Sequence, residues 1–84
     1  MASKGFTIIT RDNCYWCHKA KELMDEKQMT YIELHIPNSL SVEEFQSLTE
    51  QYETTKTVPK IFFGSTLIGG YDDLVTWIGE NLNE

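Results

Sequence analysis

With 84 residues, 40% of them hydrophobic and 12% aromatic, the chain can bury one modest core and is too apolar for general disorder. Its net charge of −6 argues against a nucleic-acid binder, and no stretch approaches the roughly 20 apolar residues of a membrane span. Two cysteines, spaced this closely, are too few for a disulfide-stapled secreted scaffold, so catalysis or metal binding is the better account of them.

Residues 1–10 hold one lysine and a short apolar run, without the longer apolar core and cleavage pattern of a signal peptide. A single cytoplasmic domain over residues 1–84 is expected. Phe6-Thr7-Ile8-Ile9-Thr10 is β-branched and nearly continuously apolar, which suits a buried strand. Cys14-Tyr15-Trp16-Cys17 follows, where the pattern turns helical. Cys17, Ala20, Leu23 and Met24 recur at spacings of three and four, with charged residues between them. The start of a helix is where a thiolate is stabilised, by unpaired backbone N–H groups and the positive end of the dipole. The chain thus offers a reactive thiol and a second one close enough to close a disulfide behind it.

Tyr31 to Ile36 alternates cleanly, placing Ile32, Leu34 and Ile36 toward the core and Tyr31, Glu33 and His35 outside; Pro37 and Asn38 end the strand. Ser41-Val42-Glu43-Glu44 has the form of a capping box and opens a second helix, with Val42, Phe45, Leu48, Thr49 and Tyr52 near one face. Lys60–Phe63 and Thr66–Ile68 read as short strands joined through Gly64-Ser65. After Gly69-Gly70 a third helix carries Leu74, Trp77, Ile78 and Leu82 on one stripe, weakened at Gly79. The order β-α-β-α-β-β-α calls for a right-handed parallel βαβ unit and a closing hairpin: an α/β fold with a mixed four-stranded sheet flanked by helices. No Lys or Arg follows Lys60, whereas Arg11, Lys19 and Lys21 flank the cysteines. A locally positive thiol site that favours anionic thiols is expected, although Lys19 and Lys21 read first as a solvated face.

The chain resembles a glutaredoxin, a small member of the thioredoxin-fold family. Three separated motifs carry the resemblance: Arg11-Asp12-Asn13-Cys14-Tyr15-Trp16-Cys17, Thr57-Val58-Pro59 and Gly69-Gly70-Tyr71-Asp72-Asp73-Leu74. The ending Trp77–Leu82 also resembles small bacterial dithiol glutaredoxins that feed electrons to ribonucleotide reductase. The resemblance implies glutathione-dependent reduction of protein disulfides and glutathione mixed disulfides by a monomer. Cys14 would be the nucleophile and Cys17 the more buried resolving thiol, with glutathione as co-substrate and no metal or tightly bound cofactor.

A glutathione site follows by the same analogy. Pro59, in a cis peptide bond facing the thiols, would leave the Val58 backbone free to pair with the glutathione cysteine, with Thr57 beside it. Gly70 would allow close approach, and the helix start at Tyr71 and Asp72 would offer N–H groups to the γ-glutamyl carboxylate. Asp73 would accept from the α-amino group, or merely stabilise the helix start. Arg11 and Gln46 would meet the glycine carboxylate, and Trp16 would wall the site.

Other readings compete. Cys14-x-x-Cys17-His18 matches the attachment signature of a c-type haem, but a buried strand leads into it, and Met24 and Met29, the needed distal ligands, belong to the first helix and its exit. Zinc would need two further ligands, and His18 and His35 are the only histidines. A thioredoxin or redoxin reduced by thioredoxin reductase is closer, though the Pro59 and Gly70 motifs favour the glutathione type. Tyr15 stands where relatives usually have proline, and some glutaredoxins lacking that proline hold a glutathione-ligated [2Fe–2S] cluster. That carrier reading stands as an alternative.

Overall fold

The computed structural model describes residues 5–82. In chain order the elements are β1 (Phe6–Arg11), α1 (Tyr15–Glu26), β2 (Tyr31–Ile36), α2 (Val42–Gln51), β3 (Lys60–Phe63), β4 (Thr66–Gly69) and α3 (Tyr71–Asn81). The sheet runs β2-β1-β3-β4, with β1 and β2 parallel and the other two pairings antiparallel. This is the expected mixed four-stranded sheet with three helices.

The consecutive isoleucines of β1 explain why the sheet is covered on both faces. Side chains alternate along a strand, so Ile8 joins Ala20, Met24, Ile61, Leu74 and Ile78 under α1 and α3. Ile9 instead joins Ile36, Phe45 and Phe62 under α2. Both isoleucines are almost wholly buried, and such burial contributes roughly 1.5–3 kcal/mol per side chain. Met24 and Met29 are core residues.

Local chemistry sets the element ends. The capping box of α2 is complete: Ser41 Oγ accepts from the Glu44 N–H at 3.0 Å, and Glu44 Oε1 accepts from the Ser41 N–H at 2.8 Å. Gly64, in the left-handed region, and Ser65 form the two-residue turn between β3 and β4. Tyr52 Oη donates to the Ser65 carbonyl at 2.7 Å, tying α2 to that turn.

Four residues depart from expectation at the edges of the core. Ile32 is 64% exposed, because the α2 cluster covers only the Leu34–Ile36 end of β2. On the opposite face of β2, Tyr31 packs against the α1 cluster, whereas Glu33 is exposed as expected and accepts from Thr10 and Lys21. Burial, then the nearby Asp25, raises the Tyr31 pKa, while the Thr10 hydroxyl first and Lys21 after it lower that of Glu33. Val42, at the first turn of α2, and Leu82, just past α3, are also exposed, each at an end of its helix.

Candidate active site

The parallel βαβ unit brings the end of β1 and the start of α1 to one rim of the sheet, and Cys14 sits at that junction. Asn13 adopts a left-handed conformation (φ 57°) that turns the chain, and Cys14 is then the N-cap of α1 in extended geometry. Its sulfur takes the place usually held by a serine or aspartate oxygen, accepting from the Cys17 N–H at 3.1 Å. The first turn of α1 contains no carboxylate. Negative charge on Cys14 is therefore met by a helix dipole that no side chain neutralises.

Cys17 lies one turn further in and is only 3% exposed, whereas Cys14 is half-buried. The two form a disulfide with Cα atoms 5.3 Å apart. The expected contrast between an accessible and a sheltered sulfur is present.

Across from the disulfide, Val58–Pro59 is a cis peptide bond, and the Val58 carbonyl oxygen lies 3.9 Å from Cys14 Sγ. Trp16, Thr57, Val58, Pro59, Gly70, Tyr71 and Asp72 line one groove of about 340 Å³. Trp16 and Tyr71 form its wall with ring centroids 5.2 Å apart, and Tyr15 meets Trp16 edge-on at 5.0 Å. Seven of the residues expected to form the site are thus gathered in one depression.

Arg11 and Gln46 are brought together elsewhere. They line a smaller recess of about 140 Å³ with Lys56, Val42 and Val58. Val58 is common to both cavities, so they adjoin at this residue. Lys56 was not anticipated; a cation directly before Thr57-Val58-Pro59 was the available signal. Of the three cations that flank the cysteines, Arg11 alone lines this recess, together with Lys56. Lys19 pairs with Glu22 at 3.6 Å and Lys21 with Glu33 at 3.1 Å, which leaves both largely neutralised.

Asp73 does not line the groove. Its Oδ2 accepts from the Gly70 N–H at 3.1 Å and closes the start of α3, while Asp72 stands on the groove wall. Glycine is required at position 69, where φ is +127° and an added Cβ would overlap the Asp73 carboxylate. At Gly70 a Cβ would stand 3.7 Å from the Pro59 oxygen, an ordinary contact, so its small size bears on groove space alone.

Another depression, of about 580 Å³, runs along α1 between Lys19, Glu22, Leu23, Asp25 and Glu26 and shares Tyr71 with the groove. It holds no thiol. His35 contacts Asp12 at 3.0 Å and Asn38 at 3.1 Å, while His18 pairs with Glu22, so the histidines lie in separate networks. Among the described residues, no three His, Cys, Asp or Glu side chains converge as a metal site.

This arrangement, a sulfur-capped helix facing a cis-proline segment across a groove, has relatives. The glutaredoxin family model matches residues 6–68. Glutaredoxin 1 of Rickettsia prowazekii is 39% identical over 67 residues, covering 80% of this chain and 70% of that protein. The solution structure of Brucella melitensis glutaredoxin superposes with a TM-score of 0.73 at 31% identity, covering 96% of this chain and 85% of that one. A buckwheat glutaredoxin–glutathione complex shares the fold, with a TM-score of 0.79 at 22% identity over 92% of this chain and 70% of that one. This chain belongs to the glutaredoxin family of thiol–disulfide oxidoreductases, with Cys14 and Cys17 as its cysteine pair.

Proposed function

We propose that this protein reduces protein disulfides and glutathione mixed disulfides at the expense of glutathione, with Cys14 as nucleophile. The observation that carries the reading is the Cys17 N–H aimed at Cys14 Sγ on an acid-free helix start, with Cys17 buried behind it. On a protein disulfide, the Cys14 thiolate attacks one sulfur and the other departs as a thiolate that takes a proton. Cys17, once deprotonated, then attacks the Cys14 sulfur. The second substrate thiol leaves, and the Cys14–Cys17 disulfide remains. Two glutathione molecules return the dithiol, the first by forming a mixed disulfide at Cys14 and the second by releasing oxidised glutathione. On a glutathione mixed disulfide, Cys14 alone can accept the glutathionyl group and pass it on.

Two cavities joined at Val58 suit an extended tripeptide. The Val58 backbone would pair with the glutathione cysteine beside Thr57 and Pro59. The N–H groups at Tyr71 and Asp72 would receive the γ-glutamyl carboxylate and the Asp72 carboxylate the α-ammonium, while Asp73 holds the helix start. Arg11, Lys56 and Gln46 would hold the glycine carboxylate at the other end. The bound glutathione in the buckwheat relative supports this reading by analogy. A monomer suffices for it. Ribonucleotide reductase is a candidate recipient, on the resemblance of the Trp77–Leu82 ending.

The test is glutathione-dependent turnover of a small glutathione mixed disulfide by the parent protein and both Cys→Ser variants. Cys14→Ser falls to background, a loss of about three orders of magnitude or more, because the nucleophile is gone. Cys17→Ser keeps deglutathionylation and loses reduction of protein disulfides. Equal loss in both variants overturns this division of labour. Turnover with thioredoxin reductase but none with glutathione overturns the substrate assignment.

A further inference from the structure

Lys60 is the first residue of β3 and only 4% exposed, an unusual place for a lysine at the head of an otherwise apolar strand. It pairs with Ile9 in the β1–β3 register, so its stem starts on the face covered by α2. From there its Nζ reaches back to the segment just before it. The ammonium donates to the Thr57 carbonyl at 2.8 Å, to Thr57 Oγ1 at 3.0 Å and to Thr55 Oγ1 at 3.4 Å, and the two hydroxyls lie 2.9 Å apart. Among the described residues, 55–59 make no turn or cap hydrogen bond between backbone groups. Val58 packs against the α2 cluster and Pro59 is buried, and the hydrogen bonds that hold Thr55 and Thr57 come from one buried cation.

We propose that Lys60 is a positioning residue for the groove: its ammonium, bonded to Thr57, holds the Thr57–Pro59 segment against the redox sulfur. The inference rests on the glutathione reading for its kinetic consequence, though not for the geometry. Thr57 and Val58 are adjacent, and the Val58 carbonyl oxygen lies 3.9 Å from Cys14 Sγ. A shift of an ångström at Thr57 moves the wall on which the tripeptide would pair. Burial lowers the Lys60 pKa, with the charge of Asp73 opposing that shift, and the three oxygens around Nζ are the acceptors a buried ammonium needs. A lysine that only started the strand would need none of them.

The substitution Lys60→Met keeps the stem and deletes the donors, whereas Lys60→Arg keeps charge and donors. Steady-state kinetics on a glutathione mixed disulfide separate positioning from bulk stability. In Lys60→Met we expect KM to rise about tenfold while kcat falls less than about threefold, and in Lys60→Arg KM stays within about threefold of the parent. An unchanged KM in Lys60→Met, or an arginine variant no better than the methionine one, overturns the proposal. A second measurement needs no variant and no glutathione. The Lys60 ammonium should give a slowly exchanging signal in ¹H–¹⁵N spectra of the parent, and a freely exchanging ammonium overturns the clamp. If the parent shows no glutathione turnover, the proposed function falls while the spectrum still decides the role of Lys60.

Discussion

The helices α1 and α3 both begin at the rim where the groove lies, and their starts are built with opposite electrostatics. At α1 the cap is the sulfur of Cys14 and the first turn has no acid; at α3 the first turn carries Asp72 and Asp73, and Asp73 closes on Gly70. Each solves the same problem, four backbone N–H groups without helical partners. The α3 solution neutralises the positive end of the dipole; the α1 solution leaves it for whatever charge the sulfur acquires. The contrast teaches that a helix start can serve stability or reactivity, and that the choice is readable from the side chains of the first turn.

The severest way to break the contrast is at the α3 start. Gly69→Ala asks for a φ of +127° from a residue with a Cβ and drives that Cβ into the Asp73 carboxylate. Strain and loss of the cap together should destabilise the fold by about 2–3 kcal/mol, read from the urea midpoint. Gly70→Ala should cost far less in stability, since its Cβ meets only an ordinary contact, while narrowing the groove. Equal midpoints for the two variants would show that the α3 start does not depend on this closure.

A milder change exports the α3 solution to α1. Tyr15 is 65% exposed at the first helical position, and its ring touches only Trp16 among the described aromatic contacts. Tyr15→Glu places a carboxylate in the acid-free turn. The two readouts should move in opposite directions: the oxidised protein gains about 0.3–1 kcal/mol, and alkylation of reduced Cys14 near neutral pH slows about threefold. Unchanged alkylation would mean that the bare dipole has no part in reactivity.

Much of this contrast was legible in the chain itself. The Cys14–Cys17 spacing at a strand-to-helix junction located the reactive helix start, and the consecutive isoleucines of β1 signalled a sheet covered on both faces. Gly69-Gly70 marked the α3 start but not which glycine was indispensable, because that depends on where the Asp73 side chain folds back. The exposure of Ile32 was hidden for a related reason: strand alternation says which face a residue takes, not how far the covering helix extends. Lys56 and Lys60 were missed because local sequence presents them as ordinary polar residues. Their roles arise from a loop folding back over the sheet, a long-range fact that no periodicity records.

The start of α2 supplies the control, a helix that carries no cysteine and is capped by Ser41 and Glu44. The Ser41 backbone N–H first, and the Ser41 side chain after it, lower the Glu44 pKa. A carboxylate whose folded pKa is depressed contributes stability that is fully present above its unfolded value and is lost as pH falls through the folded one. Glu44→Gln keeps an acceptor for the Ser41 N–H and cannot titrate, so it should flatten the acid limb of the stability profile slightly, with alkylation of Cys14 unchanged at every pH. An acid limb identical to that of the parent would show that the α2 box holds its shape without the charge. The comparison of helix starts would then concern α1 and α3 alone, where dipole and ligand chemistry share the same few atoms.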